Sequence, residues 1–129
     1  MTIEEARRII SDNYNGRENS LIYALHEEEY FSVPKFWEYY NSIAALAGLD
    51  AGEKSLALTM QITETYQQLL KEIIYHFAPD DLAVIDNFPE DYNDYIDRIN
   101  IAVFAYFSNN VGMLDEKKFK LRIGKQCRQ

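Results

Sequence analysis

Apolar residues recur at three- and four-residue intervals along most of this chain, and this spacing constrains the fold more than any other feature of the sequence. Such spacing places apolar side chains on one face of an α-helix, whereas half-buried strands need strict alternation, which no long stretch shows. At 129 residues the chain has the size of one domain with one core. The sequence therefore predicts an all-α, single-domain bundle of about six to seven helices over residues 1–129.

Capping residues indicate where the first three helices begin. Thr2 opens the first helix with a capping-box pattern, and Asn19 or Ser20 can cap the second. Ser32, followed by Pro34 at a first-turn position, marks the start of the third. These signals divide the N-terminal part of the chain into three helices.

A long fourth helix and a short fifth helix are expected next. Asp50 is the predicted N-cap of the fourth helix, and Pro79 should end it. The apolar residues of its second half, including Ile74 and Phe77, repeat at helical spacing. Asp80 can then cap the short fifth helix over residues 82–85.

A sixth helix is predicted over residues 89–108. Its first turns carry apolar residues on one face and Glu90, Asp94 and Asp97 on the other. Beyond Asn100 apolar residues occupy both faces. We therefore expect this helix to begin at the surface and to end buried on all sides.

The C-terminal segment allows two interpretations. Asp115 can cap a last short helix, but residues 117–123 also alternate between basic and apolar side chains, which is typical of a strand. Under either interpretation the segment through Ile123 is expected to dock on the domain. Residues 124–129 are expected to form a frayed tail.

The sequence lacks motifs for catalysis, phosphate binding and metal coordination. His26 and His76 lie 50 residues apart and belong to no metal-ligand or catalytic spacing. The 5 glycines are scattered and do not form a phosphate-binding loop. We therefore expect a protein that is not an enzyme and that has no cofactor or metal ion.

Two further features favour a cytoplasmic protein. The single cysteine, Cys127, leaves no intramolecular disulfide framework, as is usual in a reducing compartment. The N-terminus has no signal-peptide pattern, and no apolar run approaches the ~18 residues of a membrane span. We expect no association with a membrane.

Charge is distributed unevenly along the chain. Residues 1–116 have a net charge of −14, since they contain all 21 acidic residues but only 7 of the 13 basic ones. Residues 117–129 carry the other 6 basic residues and no acid. An acidic domain of this kind repels itself and is suited to attracting a basic partner.

The densest acidic stretch lies between residues 80 and 97. It contains 7 carboxylates and no basic residue, with tyrosine and phenylalanine among them. Acids near helix N-termini stabilise the helix dipole, so part of this charge has a purely structural explanation. The other explanation is an electronegative docking surface on which aromatic rings add contact area. The candidate partner-binding residues are Asp80, Asp81, Asp86, Glu90, Asp91, Asp94 and Asp97.

A second acidic cluster has the same composition. It precedes the third helix and is expected to form a second lobe of the docking surface. Phe31 and Trp37 follow it at helical spacing and are expected to lie in the core. The additional candidate binding residues are Glu27, Glu28, Glu29 and Tyr30.

The chain resembles a known class of proteins in its overall character and in one short segment. Residues 31–41, which read FSVPKFWEYYN, look like helical members of the immunity proteins that are encoded beside bacterial polymorphic toxins, including those of contact-dependent growth inhibition systems. Those proteins are likewise small, acidic and mostly helical. The resemblance implies a stoichiometric inhibitor that binds one cognate toxin in the cytoplasm, commonly a nuclease, and blocks or distorts its active site.

The combined prediction is an immunity protein whose acidic, tyrosine-containing surface binds a basic toxin domain. A nuclease site is cationic because it holds phosphates, so carboxylates can compete for it. The alternative is a nucleic-acid mimic that inhibits a DNA- or RNA-binding protein in an anti-defence role. A mimic needs charges spaced like phosphates along an extended face, and two compact clusters fit local complementarity better. In neither of these functions does the protein itself bind nucleic acid.

Overall fold

In a computed structural model, the described part of the chain forms five α-helices. The structure describes residues 1–78, 80 and 84–122. Within these ranges there is no β-strand. The all-α prediction is confirmed, although the described residues form fewer helices than the six to seven expected. The helices are α1 (Ile3–Tyr14), α2 (Leu21–His26), α3 (Val33–Ala47), α4 (Leu56–Phe77) and α5 (Tyr92–Ser108).

Side-chain caps begin the first three helices where the sequence predicts them. Thr2 and Ser20 each accept the backbone N–H of the residue three positions later at 3.1 Å, and Ser32 does so at 3.3 Å. Each hydroxyl satisfies one of the N–H groups that a helix start leaves without a partner. The first three predicted starts are therefore confirmed.

The fourth helix begins later than predicted. Asp50 opens only a 3-10 turn, Ala51–Glu53, and makes no side-chain cap bond. Ser55 caps α4 instead, because its hydroxyl accepts the Leu58 N–H at 3.1 Å. The predicted end is confirmed, since α4 stops at Phe77 and Ala78 is extended, as expected for a residue before proline.

The last turn of α4 exposes apolar side chains that fit the helical repeat. Ile73 is buried, but Ile74 and Phe77 are 62% and 54% exposed. The reason is the direction from which α4 is covered: it packs on α1, α2 and α5, and its buried stripe includes Ile62, Leu69 and Ile73. Residue 74 is rotated about 100° from residue 73 on a helix, so it leaves that stripe.

The chain between α4 and α5 does not form the predicted fifth helix over its described residues. Val84 and Ile85 are not helical, and residues 81–83 lie outside the described part. The Ile85 N–H donates to Nδ1 of His76 at 3.0 Å, and the Asp86 N–H donates to the Glu29 carbonyl at 2.9 Å. Because these N–H groups bind other parts of the protein, they do not form helical hydrogen bonds.

The helix predicted over residues 89–108 begins later and is buried on a different face. It starts at Tyr92. Phe104 and Phe107, near its end, are 59% and 52% exposed, so the prediction that the end is buried on all sides is wrong. α5 packs chiefly on α3, which covers only one of its faces. The residues on the buried face are Tyr95, Arg98, Ile99, Ala102, Val103, Ala105 and Tyr106.

α3 is the centre of the bundle. It packs against α1 on one side and α5 on the other, while α1 also contacts α4. Phe36, Tyr39 and Ile43 of α3 are almost wholly buried. Phe31 and Trp37 are each 3% exposed, which confirms their predicted place in the core.

A fully buried arginine, Arg98, lies between α3 and the C-terminal segment. Its Nη1 donates to the Tyr40 hydroxyl at 3.1 Å, and its Nη2 donates to Oε1 of Glu116 at 2.6 Å. The guanidinium carbon lies 5.0 Å from the ring centre of Trp37 and 4.2 Å from that of Phe119. The charge is therefore held by one carboxylate and by aromatic faces.

The C-terminal segment forms neither the predicted last helix nor the alternative strand within its described residues. It consists of two 3-10 turns, Val111–Leu114 and Glu116–Lys118, and Asp115 caps the second. Leu121 is 5% exposed, so the segment docks on the domain at least to this residue. Ile123 and the predicted frayed tail, 124–129, lie outside the described residues.

Candidate protein-binding surface

The loop after α2 carries three consecutive glutamates, and the last of them has an unusual backbone conformation. α2 ends at His26, and the Tyr30 N–H donates to the Ala24 carbonyl at 3.0 Å, which closes the turn. Glu29 has a φ of 51°, in the left-handed region that a residue with a Cβ seldom adopts. This turn reverses the chain and places Glu27, Glu28 and Tyr30 at the surface.

Backbone hydrogen bonds join this loop to the second acidic segment. The Asp86 N–H donates to the Glu29 carbonyl at 2.9 Å. The Asn87 side chain accepts the Phe31 N–H at 2.7 Å and donates to the Phe31 carbonyl at 2.9 Å. Residues 56 positions apart are thereby fixed side by side. The two acidic clusters expected to form two lobes of one surface do meet at Glu29 and Asp86.

The acidic face is defined here as the acidic residues of the loop after α2 and of residues 86–91, together with Tyr30. Its carboxylates have few counter-ions: over the described residues, the only ion pair within 4.0 Å that involves one of the members is that of Glu27 with His26, at 4.0 Å. Because no Lys or Arg of the described residues pairs with these groups, the face is electronegative. Its members are Glu27, Glu28, Glu29, Tyr30, Asp86, Glu90 and Asp91.

An aromatic cluster borders the acidic face. The His76 ring stacks on Phe88 with centroids 4.1 Å apart, and Phe77 contacts Phe88 at 5.3 Å and Tyr92 at 5.2 Å. Phe88 and Tyr92 bracket Glu90 and Asp91 in the sequence. The carboxylates therefore lie next to a partly exposed set of rings. We call His76, Phe77, Phe88 and Tyr92 the aromatic cluster.

Tyr95 anchors the first turn of α5 beneath this surface. It is 4% exposed, and its ring lies 5.0 Å from Phe31 and 4.8 Å from Phe36. Burial, reinforced by the negative charge of Asp91, raises the pKa of Tyr95 to about 12. The phenol stays neutral at physiological pH. Tyr95 therefore packs in the core, whereas Tyr30 is exposed on the acidic face.

Asp94 and Asp97 lie in another environment. Together with Met113 and Phe119 they line a groove of about 510 Å³ between α5 and the C-terminal segment. Lys118 and Lys120 line the same groove. These two acids therefore face a mixed-charge groove and are not members of the acidic face as defined above.

Asp80 and Asp81 are the remaining predicted binding residues. Asp80 is exposed after the end of α4. Asp81 lies outside the described residues. The structure thus joins most of the predicted residues, separates Asp94 and Asp97 from them, and leaves the contribution of Asp81 undefined.

A histidine–carboxylate pair lies beside Glu27. Nδ1 of His26 is 3.0 Å from Oε1 of Glu72, whose side chain is 4% exposed. The hydrogen bond to Glu72, together with its negative charge, raises the pKa of His26 above the ordinary 6.5. The pair ties the end of α2 to α4, so it holds the base of the acidic loop in place.

Three residues important for this site were missed at the sequence level. Asn87 joins the two acidic segments, and Ile74 and Phe77 form an exposed apolar border. The Asn87–Phe31 contact has no local signal, because it depends on a distant backbone. The exposure of Ile74 could have been suspected from Ile73, since consecutive helical residues seldom both face one core.

Comparisons with protein-family models, curated proteins and solved structures give no significant match to this chain.

The fold and the site define the chain as an all-α protein with an acidic face bordered by aromatic rings. In the described part of the chain, no helix has the length and apolar character needed to cross a membrane. No group of three or more His, Cys, Asp or Glu side chains is arranged for metal binding among the described residues.

Proposed function

We propose that this protein is a cytoplasmic immunity protein that binds and neutralises a basic toxin domain, in particular a nuclease, through its acidic face. The single observation that carries the proposal is the link between Glu29 and Asp86, which joins two acidic segments into one electronegative surface. A surface of this kind attracts a cationic partner and accelerates its association. In this proposal the protein inhibits the toxin by binding to it and does not act as an enzyme.

A nuclease domain fits the chemistry of this surface. Such a domain concentrates Lys and Arg around the phosphates of its substrate. Carboxylates of Glu28, Asp86 and Glu90 offer these cations a competing set of oxygen acceptors. Occupation of the cations would exclude nucleic acid from the toxin.

The test is capture of the partner in the organism that encodes the protein. Tagged wild-type protein is compared with the double variant Asp86→Lys, Glu90→Lys. The matched control, Glu38→Lys with Glu53→Lys, changes the net charge equally at exposed positions outside the acidic face. We expect wild type and control to retain one basic protein at near-stoichiometric yield, and the double variant, in which two attractive charges become repulsive, to retain much less of it.

Assay of the captured protein distinguishes the two candidate functions. A toxic activity that the purified wild-type protein inhibits at equimolar ratio supports an immunity protein. A captured DNA- or RNA-binding protein without toxicity supports the nucleic-acid mimic instead. Equal capture by the double variant and the wild type would contradict the assignment of the acidic face as the interface.

A further inference from the structure

The end of α4 exposes apolar side chains beside the acidic face. Ile74 and Phe77 lie three residues apart on the helix, hence on the same side, and are 62% and 54% exposed. The Phe77 ring contacts Phe88 and Tyr92, which flank Glu90 and Asp91 in the chain. An apolar surface therefore adjoins carboxylates that have no Lys or Arg partner within the described residues.

We propose that Ile74 and the aromatic cluster bind an amphipathic, cationic segment of the partner protein. One apolar side chain of that segment packs on Ile74 and Phe77, and flanking Lys or Arg residues pair with Asp86, Glu90 and Asp91. This inference rests on the proposed function, because it names the kind of segment that the toxin presents to the acidic face.

The apolar and charged parts of this surface have separate energetic roles. Exposed carboxylates raise the association rate but contribute little affinity each, because water and salt screen them. Burial of the exposed part of an Ile or Phe side chain should strengthen binding by about tenfold, so the apolar contact supplies more affinity than any single exposed carboxylate. An Arg of the partner can also lie over the Tyr92 or Phe77 ring in a cation–π contact.

Charge also argues against a second copy of this chain as the occupant. A two-fold symmetric contact brings the same patch of each copy together. Glu90 and Asp91 of one copy would then approach those of the other, and like charges at close range oppose association. A cationic partner has the opposite effect, so charge complementarity favours it.

Two synthetic peptides test the inference. In the first, lysines flank a leucine and a tryptophan; in the second, serines replace those two apolar residues, so the charge is unchanged. Calorimetric titration measures each against wild type, Ile74→Ser and Phe77→Ser. The matched control is Leu56→Ser, which removes an even more exposed apolar side chain at the other end of α4, about 27 Å from Ile74. Circular dichroism and sedimentation show whether each variant is folded and monomeric.

Wild type should bind the apolar peptide about tenfold more tightly than the serine peptide. Ile74→Ser and Phe77→Ser should each remove most of this difference, and Leu56→Ser should preserve it. Because Phe77 also contacts Phe88 and Tyr92, the more exposed Ile74 provides the cleaner variant if Phe77→Ser unfolds.

Three results would overturn the inference. Equal affinity of wild type for both peptides would show that the acids act without the apolar patch, and the proposed function would stand. Binding of neither peptide would count against both. Wild-type self-association that Ile74→Ser abolishes would assign the patch to a contact between copies of this chain.

Discussion

Nη2 of Arg98 donates to Oε1 of Glu116 at 2.6 Å from a side chain that has no exposed surface. Glu116 is different, because its side chain is 44% exposed. The two partners of this ion pair therefore lose different amounts of hydration on folding. This asymmetry predicts different consequences for their removal.

Removal of the carboxylate should destabilise the protein more than removal of the guanidinium. Glu116→Ala leaves a buried cation without its counter-ion and should lower the free energy of unfolding by about 3 kcal/mol. Arg98→Met removes the charge, fills similar volume and leaves Glu116 accessible to water, so its cost should be about 1 kcal/mol. Urea unfolding of both variants at neutral pH provides the measurement. An equal decrease in the free energy of unfolding in both variants would show that loss of the ion pair, and not an unpaired buried charge, causes the destabilisation.

The acidic face should control the association rate with a cationic partner. Asp86→Lys with Glu90→Lys should slow association at low salt by about tenfold or more, because both exposed carboxylates belong to the electronegative surface. The effect should shrink as added salt screens the charges. Stopped-flow mixing with the captured partner at two ionic strengths measures it. Glu38→Lys with Glu53→Lys is the charge-matched control, and an identical slowing in that variant would argue against a localised interface.

Glu29→Gly should stabilise the protein. A left-handed conformation costs a residue with a Cβ about 1–2 kcal/mol, and glycine avoids most of this cost. After the greater flexibility of glycine in the unfolded chain is included, we expect a gain of about 0.5–1 kcal/mol. Glu28→Gly removes the same charge at a neighbouring position, where φ is not positive, and should destabilise. Thermal unfolding compares the two variants, and a gain for Glu28→Gly alone would refute the assignment of strain to Glu29.

The His26–Glu72 pair should stabilise the fold more at low pH than at high pH. The pKa of His26 is raised in the folded protein, so its contribution is fully present below the unfolded value of 6.5 and is lost as pH rises through the folded pKa. Because His26 is exposed, the contribution should be about 0.5–1 kcal/mol. The difference in unfolding free energy between wild type and His26→Gln should shrink between about pH 5.5 and about pH 8.5. The control compares Glu72→Gln with the double variant Glu72→Gln, His26→Gln. Without the Glu72 carboxylate, the effect of His26→Gln on the unfolding free energy should depend much less on pH. A difference that grows with pH would have the wrong sign.

Local signals identified much of the helical framework. The hydroxyl groups of Thr2, Ser20 and Ser32 each cap a helix by accepting an N–H three residues later. Because donor and acceptor lie within one turn, a short stretch of sequence is enough to predict the cap. The stop before Pro79 is local for the same reason, because the proline ring clashes with a helical residue before it. The Asp50 prediction was wrong because Ser55 provides a competing cap a few residues later.

The acidic site was predictable as composition but not as geometry. The acidic residues of both clusters were visible as charge without local counter-ions, yet the separation of Asp94 and Asp97 from the others depends on how the C-terminal segment docks on α5. The apolar border was hidden because Ile74 fits the helical repeat as well as Ile73 does. Which of the two is buried depends on the direction from which α1 and α2 approach α4.

The sequence by itself determined the all-α class, the first three helix starts, the end of α4 and the anionic character of the chain, because these depend on short-range spacing and on residue charge. Only the tertiary structure decided that the Asp86 N–H bonds to Glu29, that Arg98 is buried against Glu116 and that Phe77 is exposed. Such contacts join residues 18 to about 57 positions apart or depend on which face a neighbouring helix covers. Their energies come from packing and desolvation between distant segments, which no local pattern encodes.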